Sequence, residues 1–331
     1  MYHAVRTVVG LLVFSEEGRL VDVLRYDKPE EVLDEPELTR EEAEFLQRLG
    51  EEVRCEGVHV FPGMGGELFR SRVREVLEEL GVEEAEYRRR VHACAIALSR
   101  RRLRRALGSR DMMVKQLVSA LEELEEVQNL LTSRLREWYF LHFPEAAGLE
   151  ELPELVARYG SRENMRGVEG VGALAEASAG AGLERGDIEV MRSFASRILE
   201  LRTLREELKR RLEEVLLQHA PNLCHLAGAP IAGRLISAAG SLERLARMPG
   251  SRIQVLGAEK ALFRHLARGA KPPKHGYIYQ HPFVKGAPRR ERGRRARALA
   301  AKLAIAARAD AYGGGFIAEE LERRLKKGHE A

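Results

Sequence analysis

Two long helical stripes constrain this chain more than any other feature. From Val114, apolar residues recur at Leu117, Leu121, Leu124, Leu131, Leu135 and Trp138, in alternating steps of three and four, with Gln128 at the one polar position. That spacing marks a helix that buries a narrow seam against another helix. A second stripe runs through Phe194, Ile198, Leu201, Leu208, Leu212 and Val215, with Arg205 in its polar gap. Two stripes of matching length in one chain predict an antiparallel helical hairpin, or else two ordinary core helices of a bundle. Between them, "GVEGVGALAEASAGAGLERGD" (167–187) is small and glycine-rich and reads as the tip, with one short helix. Pro221 ends the second helix, because its ring clashes with the preceding turn and it has no N–H to donate.

The flanks differ from the middle. "VRTVVGLLVF" (5–14) reads as a strand, "SEEG" as a turn and "RLVDVLRY" as the partner strand of a hairpin. An acidic helical stretch, "TREEAEFLQRLGEEV", follows; then "GVHVFPG" as a further strand and "ELFRSRVREVLEEL" as an amphipathic helix, with helix resuming over 84–107. Residues 221–327 read as a compact helical domain ending in the long basic helix of "RGRRARALAAKLAIAARADA". The predicted fold class is α+β. An N-terminal α/β domain spans 1–110, and a coiled-coil hairpin spans 111–218 with its tip insertion near 145–188. An all-α domain spans 219–331.

The formal net charge is only +4, but it is unevenly spread. Residues 27–52 hold eleven acids and three bases, and residues 271–308 eleven bases and one acid. Opposite poles imply two kinds of partner, the basic one a polyanion. Three cysteines, Cys55, Cys94 and Cys224, form no CxxC pair, which fits a reducing compartment. No run approaches 18 apolar residues, so neither a membrane partner nor a spanning helix is expected, and a cytoplasmic protein is.

Signs of catalysis are few. The glycine-rich "FPGMGGELFR" lacks the Lys-Ser/Thr of a phosphate-binding loop and has Leu68 where a dinucleotide fingerprint has its third glycine. His219, Cys224, His225, His265, His275 and His281 match no closed zinc spacing, so no metal is expected. The strongest local signal is "KHGYIYQHPFVKGAPRRERGRRAR" (274–297), in which eight Lys or Arg are interleaved with aromatic and imidazole rings. Guanidinium forks suit phosphate oxygens, and rings stack on unpaired bases. Composition alone does not separate RNA from DNA.

The wording of this half is that of a known family. "APNLCHLAGAPIAGRLISAAGSLERLARMPGSRIQVLGAEKALFRHL" and "PKHGYIYQHPFVKGAPRRERGRRARALAAKLAIAARAD" resemble the Nop domain, and "LTSRLREWYFLHFPE" (131–145) resembles the segment this family carries in its coiled coil. The match covers about 112–311, and residues 1–110 are assigned mainly by position. The chain is similar to archaeal members, core scaffolds of box C/D ribonucleoproteins that guide RNA 2′-O-methylation, since it stops at "RRLKKGHEA" where eukaryotic relatives carry a lysine-rich tail. The resemblance implies a chain with no catalytic residues and no cofactor of its own. The N-terminal domain would bind fibrillarin, the methyltransferase that uses S-adenosylmethionine, and the coiled coil would pair two chains as a homodimer. The Nop domain would clamp a box C/D guide RNA already held by the kink-turn-binding ribosomal protein. It further implies that Glu259, Lys260, Leu262 and Phe263 meet that joint surface, flanked by Arg247 and Arg252. Lys271, Lys274 and His275 would meet RNA, and Arg290, Arg292, Arg294, Arg295 and Arg297 phosphates. Leu117, Leu121, Leu124, Leu131, Leu135, Trp138, Ile198, Leu201 and Leu208 would form the dimer seam. Three other readings stay open: a Nop-domain protein of the splicing machinery, an RNA-modifying enzyme with its site in 1–110, and an architectural DNA-binding protein.

Overall fold

The computed structural model describes residues 2–35, 37–49, 53–56 and 63–327, and the chain divides into two compact units, Met1–Gly108 and Ser109–Ala331. In the first unit, β1 (Tyr2–Arg6), β2 (Gly10–Ser15), β3 (Leu20–Arg25) and β4 (Val53–Glu56) form a sheet of order β3-β2-β1-β4. The β1–β4 pair is parallel and the other two are antiparallel. The single strand predicted over 5–14 is two. Thr7 donates both its N–H (2.9 Å) and its hydroxyl (3.0 Å) to Gly10 O, and its oxygen accepts from Val9 N–H at 3.2 Å. That local bonding competes with the ladder and reverses the chain. Only glycine fits at position 10, where a Cβ would lie 2.2 Å from Leu24 O. The predicted strand "GVHVFPG" falls, except for Gly63, outside the described residues.

Side chains of β2 alternate between two cores, as a pleated strand requires. Leu12 and Phe14 meet Phe69, Val76 and Leu77, whereas Leu11 and Val13 meet Phe45 and Leu46. The unit's helices among the described residues are α1 (Pro29–Val32), α2 (Arg40–Arg48), α3 (Met64–Ser71), α4 (Val73–Glu79) and α5 (Glu84–Leu107), of which α2, α3 and α4 supply these partners. Thr39 and Glu42 cap α2 reciprocally. Glu42, fully buried, also takes Arg6 at 2.8 and 2.6 Å and the Tyr26 hydroxyl at 2.5 Å. Burial pushes its carboxyl up, but Arg6, Tyr26 and the Thr39 N–H together hold it below the ordinary range. The acidic pole is partly answered inside its own unit. Asp34 accepts from Arg102 (2.8 Å) and Arg105 (2.9 Å), and Glu35 from Arg101 (2.8 Å), all three arginines on α5. These partners lie some seventy residues away in sequence.

In the second unit, α6 (Arg110–Tyr139) and α9 (Arg185–His219) run antiparallel. Trp138 meets Phe194 edge to face at 6.2 Å, Glu125 pairs with Arg205 at 3.3 Å, and Val114 and Leu117 share the base with Leu212, Val215 and Leu216. The two stripes therefore fill each other. Leu117, Leu135 and Ile198 are at most 7% exposed within the single chain, and Leu121, Leu124, Leu131, Trp138, Leu201 and Leu208 are half-buried along the same line. For Leu117, Leu135 and Ile198 the expected dimer contact is thus corrected to packing within the chain. A tethered partner helix has a high effective concentration, which favours it over a second molecule.

The tip is a folded cap, and the glycine-rich stretch 167–187 contributes one short helix to it, Gly172–Glu176. Its elements α7 (Leu152–Tyr159) and α8 (Gly172–Glu176) close over Tyr139, Phe143, Met165 and Met191. His142, 2% exposed, ties the cap together. Its Nδ1–H donates to Ala181 O at 3.0 Å, and its Nε2 accepts from Arg162 N–H at 3.1 Å. The neutral tautomer satisfies both.

The remaining helices are α10 (Pro221–Ala227), α11 (Ala229–Ala239), α12 (Leu242–Ala246), α13 (Gly250–Val255), α14 (Glu259–Arg268), α15 (Pro282–Lys285), α16 (Arg292–Tyr312) and α17 (Ala318–Lys327). Most of them bury α16, whose Ala296, Ala300, Ala304 and Ala307 allow close approach. Their core runs without a break into the hairpin base across position 218. Two carboxylates pin it. Asp111 accepts from His219 (2.7 Å) and Leu242 N–H (3.0 Å), and Asp310 from the N–H groups of Asn222 (3.0 Å) and Leu223 (2.8 Å), which open α10.

Candidate nucleic-acid and partner interface

The loop after α14 is held by backbone bonds to α13. Gln254 Nε2 donates to Lys274 O at 2.7 Å, Gly276 N–H to Gln254 O at 2.9 Å and Tyr277 N–H to Leu256 O at 2.9 Å. Ile278 is fully buried beneath it. His281 Nε2–H donates to Leu226 O at 3.0 Å and its Nδ1 accepts from Phe283 N–H at 3.2 Å, capping α15. Burial holds that imidazole below its ordinary range, so His281 is a neutral structural ring.

Above this base lies a ring stack. His275 is parallel to Tyr279 at 4.5 Å, and the Arg292 guanidinium lies over Tyr279 at 5.4 Å. Burial, with the charges of Arg292 and Lys274, lowers the His275 pKa, so the ring is neutral at pH 7. Neutral aromatic surface suits stacking on an unpaired base.

The arginines separate into two groups. Arg292 donates to Ala287 O (3.0 Å) and to the Tyr279 hydroxyl (3.2 Å), and Arg295 lies over Phe283 at 5.2 Å and donates to its carbonyl at 3.4 Å. These two clamp α15 and its turns to α16, a structural task that their reading as phosphate ligands did not include. Arg290, Arg294 and Arg297 are exposed, as are Lys271 and Lys274. The aliphatic stem of Lys274 passes Gly293 in the first turn of α16. Arg252 is exposed on α13. Arg247 does not join the group. It pairs with Glu243 and Tyr312, and Tyr312 lies fifteen residues beyond Arg297 on α16, about 22 Å along the axis at 1.5 Å per residue.

The helix that leads into this loop, α14, carries no buried residue. Phe263 and Leu266 are 70% and 72% exposed, one turn apart, with Leu262 half-buried and Lys260 exposed. Glu259 accepts from Gly257 N–H at 2.8 Å and so closes the turn that opens the helix. An apolar stripe on a helix that its own chain leaves uncovered marks a contact surface. Leu266 was missed from sequence, although its i+3 spacing from Phe263 was there to read.

Burial pushes the Cys94 thiol up and the Cys224 thiol up to about 11, away from the reactive thiolate. Among the described residues no group of three or more His, Cys, Asp or Glu could hold a metal ion, and no helix is long and apolar enough to cross a membrane.

Comparison with known proteins bears on this half of the chain most directly. The family model described as "Nop: snoRNA binding domain, fibrillarin" matches residues 120–330. An uncharacterized NOP5 family protein of Methanocaldococcus jannaschii is 42% identical over 301 residues, covering 86% of this chain and 72% of the relative. Nucleolar protein 58 of Neurospora crassa is 35% identical over 264 residues, and that of Eremothecium gossypii 34% over 256. The matches cover 74% and 72% of this chain but only about half of each fungal protein (44% and 50%). A solved fibrillarin/Nop5p complex chain is 28% identical over 98% of this chain and 99% of its own, with a TM-score of 0.43, too low to bear on the fold. With a family model covering more than half its length and a 42% identical relative, the chain belongs to the Nop family of box C/D ribonucleoprotein proteins.

Proposed function

We propose that this chain is a non-catalytic scaffold of a box C/D ribonucleoprotein. Its C-terminal surface binds guide RNA jointly with a kink-turn-binding protein, and its N-terminal unit carries fibrillarin. Fibrillarin brings S-adenosylmethionine and performs the 2′-O-methylation. The observation that carries the reading is the uncovered apolar face of α14 together with the exposed basic side chains of Lys274, Arg290, Arg294 and Arg297, which the loop 269–276 joins in the chain. Phosphate contacts alone give a salt-sensitive grip of roughly 10⁻⁴ to 10⁻⁶ M by analogy with non-specific DNA binding. An adjoining apolar face adds a protein contact, and a preformed protein–RNA complex presents both ligands together at a lower ordering cost.

The test is a gel-shift titration on a box C/D kink-turn RNA, with and without the kink-turn-binding protein, at fixed salt. Tight binding only to the preformed complex supports the joint clamp. Equal binding to any RNA would reduce the surface to plain electrostatics. Phe263→Asp with Leu266→Asp should weaken binding to the preformed complex roughly thirtyfold, the removal of one apolar anchor of about 2 kcal/mol. Binding to bare RNA should fall only slightly, by the repulsion of two added carboxylates.

Self-association through the hairpin belongs to the same proposal, but on a different face. Val127, Leu130 and Leu204 are 42%, 68% and 42% exposed and lie outside the filled seam. Val127→Glu with Leu130→Glu should convert a dimer to monomer by light scattering while leaving the melting temperature nearly unchanged. The pair Leu121→Arg and Leu135→Arg should instead unfold the hairpin, since Leu135 is fully buried within the chain. A dimer that survives the glutamate pair would place the contact elsewhere.

A further inference from the structure

Midway along the hairpin the apolar seam gives way to a polar layer, where Gln128 of α6 and Arg205 of α9 face one groove of about 650 Å³. Gln128 is only 6% exposed, yet its Nε2 amide has no acceptor among the described residues. The Nε of Arg136, two turns further along α6 and lining the same groove, is also buried and without one. Three of the other charges there are paired. Arg202 pairs with Glu154, Arg205 with Glu125 at 3.3 Å, and Glu206 with Lys209 at 2.6 Å. Among the described residues, Arg136 is therefore the guanidinium of the groove with no carboxylate against it.

Buried donors without acceptors are unfavourable, and a leucine at position 128 would have continued the seam without this cost. Two residues with unmet donors, one of them a guanidinium without an ion pair, line a space that opens to solvent. The complement is an oxyanion with several acceptor oxygens, which a guanidinium and an amide can bind together. Glu150, exposed at the rim, opposes a second negative charge and so suits a singly charged group. We propose that this groove is a phosphate site, filled by a phosphodiester of an RNA backbone or by free phosphate. It is separate from the basic surface on α16 and does not depend on the reading of that surface.

The probe is inorganic phosphate, followed by ³¹P line broadening at chloride-balanced ionic strength. The protein is the full chain with Arg290, Arg294 and Arg297 replaced by glutamine, so that the basic surface contributes little. Saturable broadening is expected, reduced at least tenfold by Arg136→Gln and by Gln128→Leu. Gln128→Leu should at the same time raise the melting temperature, because it extends the apolar seam. Weaker binding together with higher stability separates a ligand site from a structural one. If a short single-stranded RNA then sharpens the phosphate line, RNA phosphodiesters share the groove. If it does not, free phosphate is the ligand; either result supports the site. Broadening that is absent, or that persists unchanged in both variants, overturns it. A groove occupied by water or by an acidic side chain of a second copy would give one of those two results.

Discussion

Replacing Arg290, Arg294 and Arg297 together by glutamate is expected to lower the affinity for the RNA-bearing complex by roughly a thousandfold, at about 1.4 kcal/mol for each phosphate no longer held. These side chains are exposed, so the melting temperature should change little. The slope of log K against log salt should shrink by about 2 to 3, because three fewer counterions are released. Gel-shift titration over a salt series measures both. The contrast is the pair Arg292→Glu and Arg295→Glu. It removes the bonds to Ala287, Tyr279 and Phe283 that fasten α15 to α16, and so should cost stability as well as binding. If the triple variant binds like the parent, the polyanion is held on another surface.

Gly276 gives the second large effect. A Cβ at this position would lie 1.9 Å from Leu256 O and 2.7 Å from its carbonyl carbon. Neither backbone can retreat cheaply, because Gly276 N–H is bonded to Gln254 O and Tyr277 N–H to Leu256 O, each at 2.9 Å. Gly276→Ala should therefore cost about 4 kcal/mol or more, in the range reserved for backbone overlap and broken buried bonds. For a unit of this size that corresponds to a fall in melting temperature of roughly 8 to 16 °C. The loop should detach with it, releasing Lys274 and His275 from the surface, so binding to the complex should fail as well. Gly269→Ala is the control. Gly269 is in the left-handed region, with φ +64°, but a Cβ there meets nothing within 4 Å. It should cost only about 1 kcal/mol of backbone strain. An unchanged melting temperature for Gly276→Ala would show that the loop is not fastened to α13.

The two stripes illustrate how far a sequence can be read. Their 3.5-residue step required that each be buried against a helix, and their matching length made the antiparallel hairpin legible, down to the polar layer of Gln128 and Arg205. The stripes carry no information about which helix buries them. That choice depends on the connection between them, and the folded cap of α7 and α8 returns α9 directly onto α6. The seam is then filled largely from within.

The basic element shows the same division. Its arginines, rings and prolines marked a polyanion surface, because charge and residue type are properties of the sequence. Periodicity could not separate Arg294 and Arg297, left in solvent, from Arg292 and Arg295, whose guanidiniums lie over Tyr279 and Phe283. Nor could it show that Arg247 turns to Glu243 and Tyr312, at the far end of α16.

The sequence by itself determined the hairpin, the helical domain, the basic character of 274–297 and the family. Each is carried by local period, residue chemistry or a long shared motif. Only the tertiary structure decided which charges are spent on the protein's own carbonyls, rings and carboxylates and which stay free. Hydrogen bonds and ion pairs are made by side chains brought together across tens of residues, and no local pattern encodes that meeting.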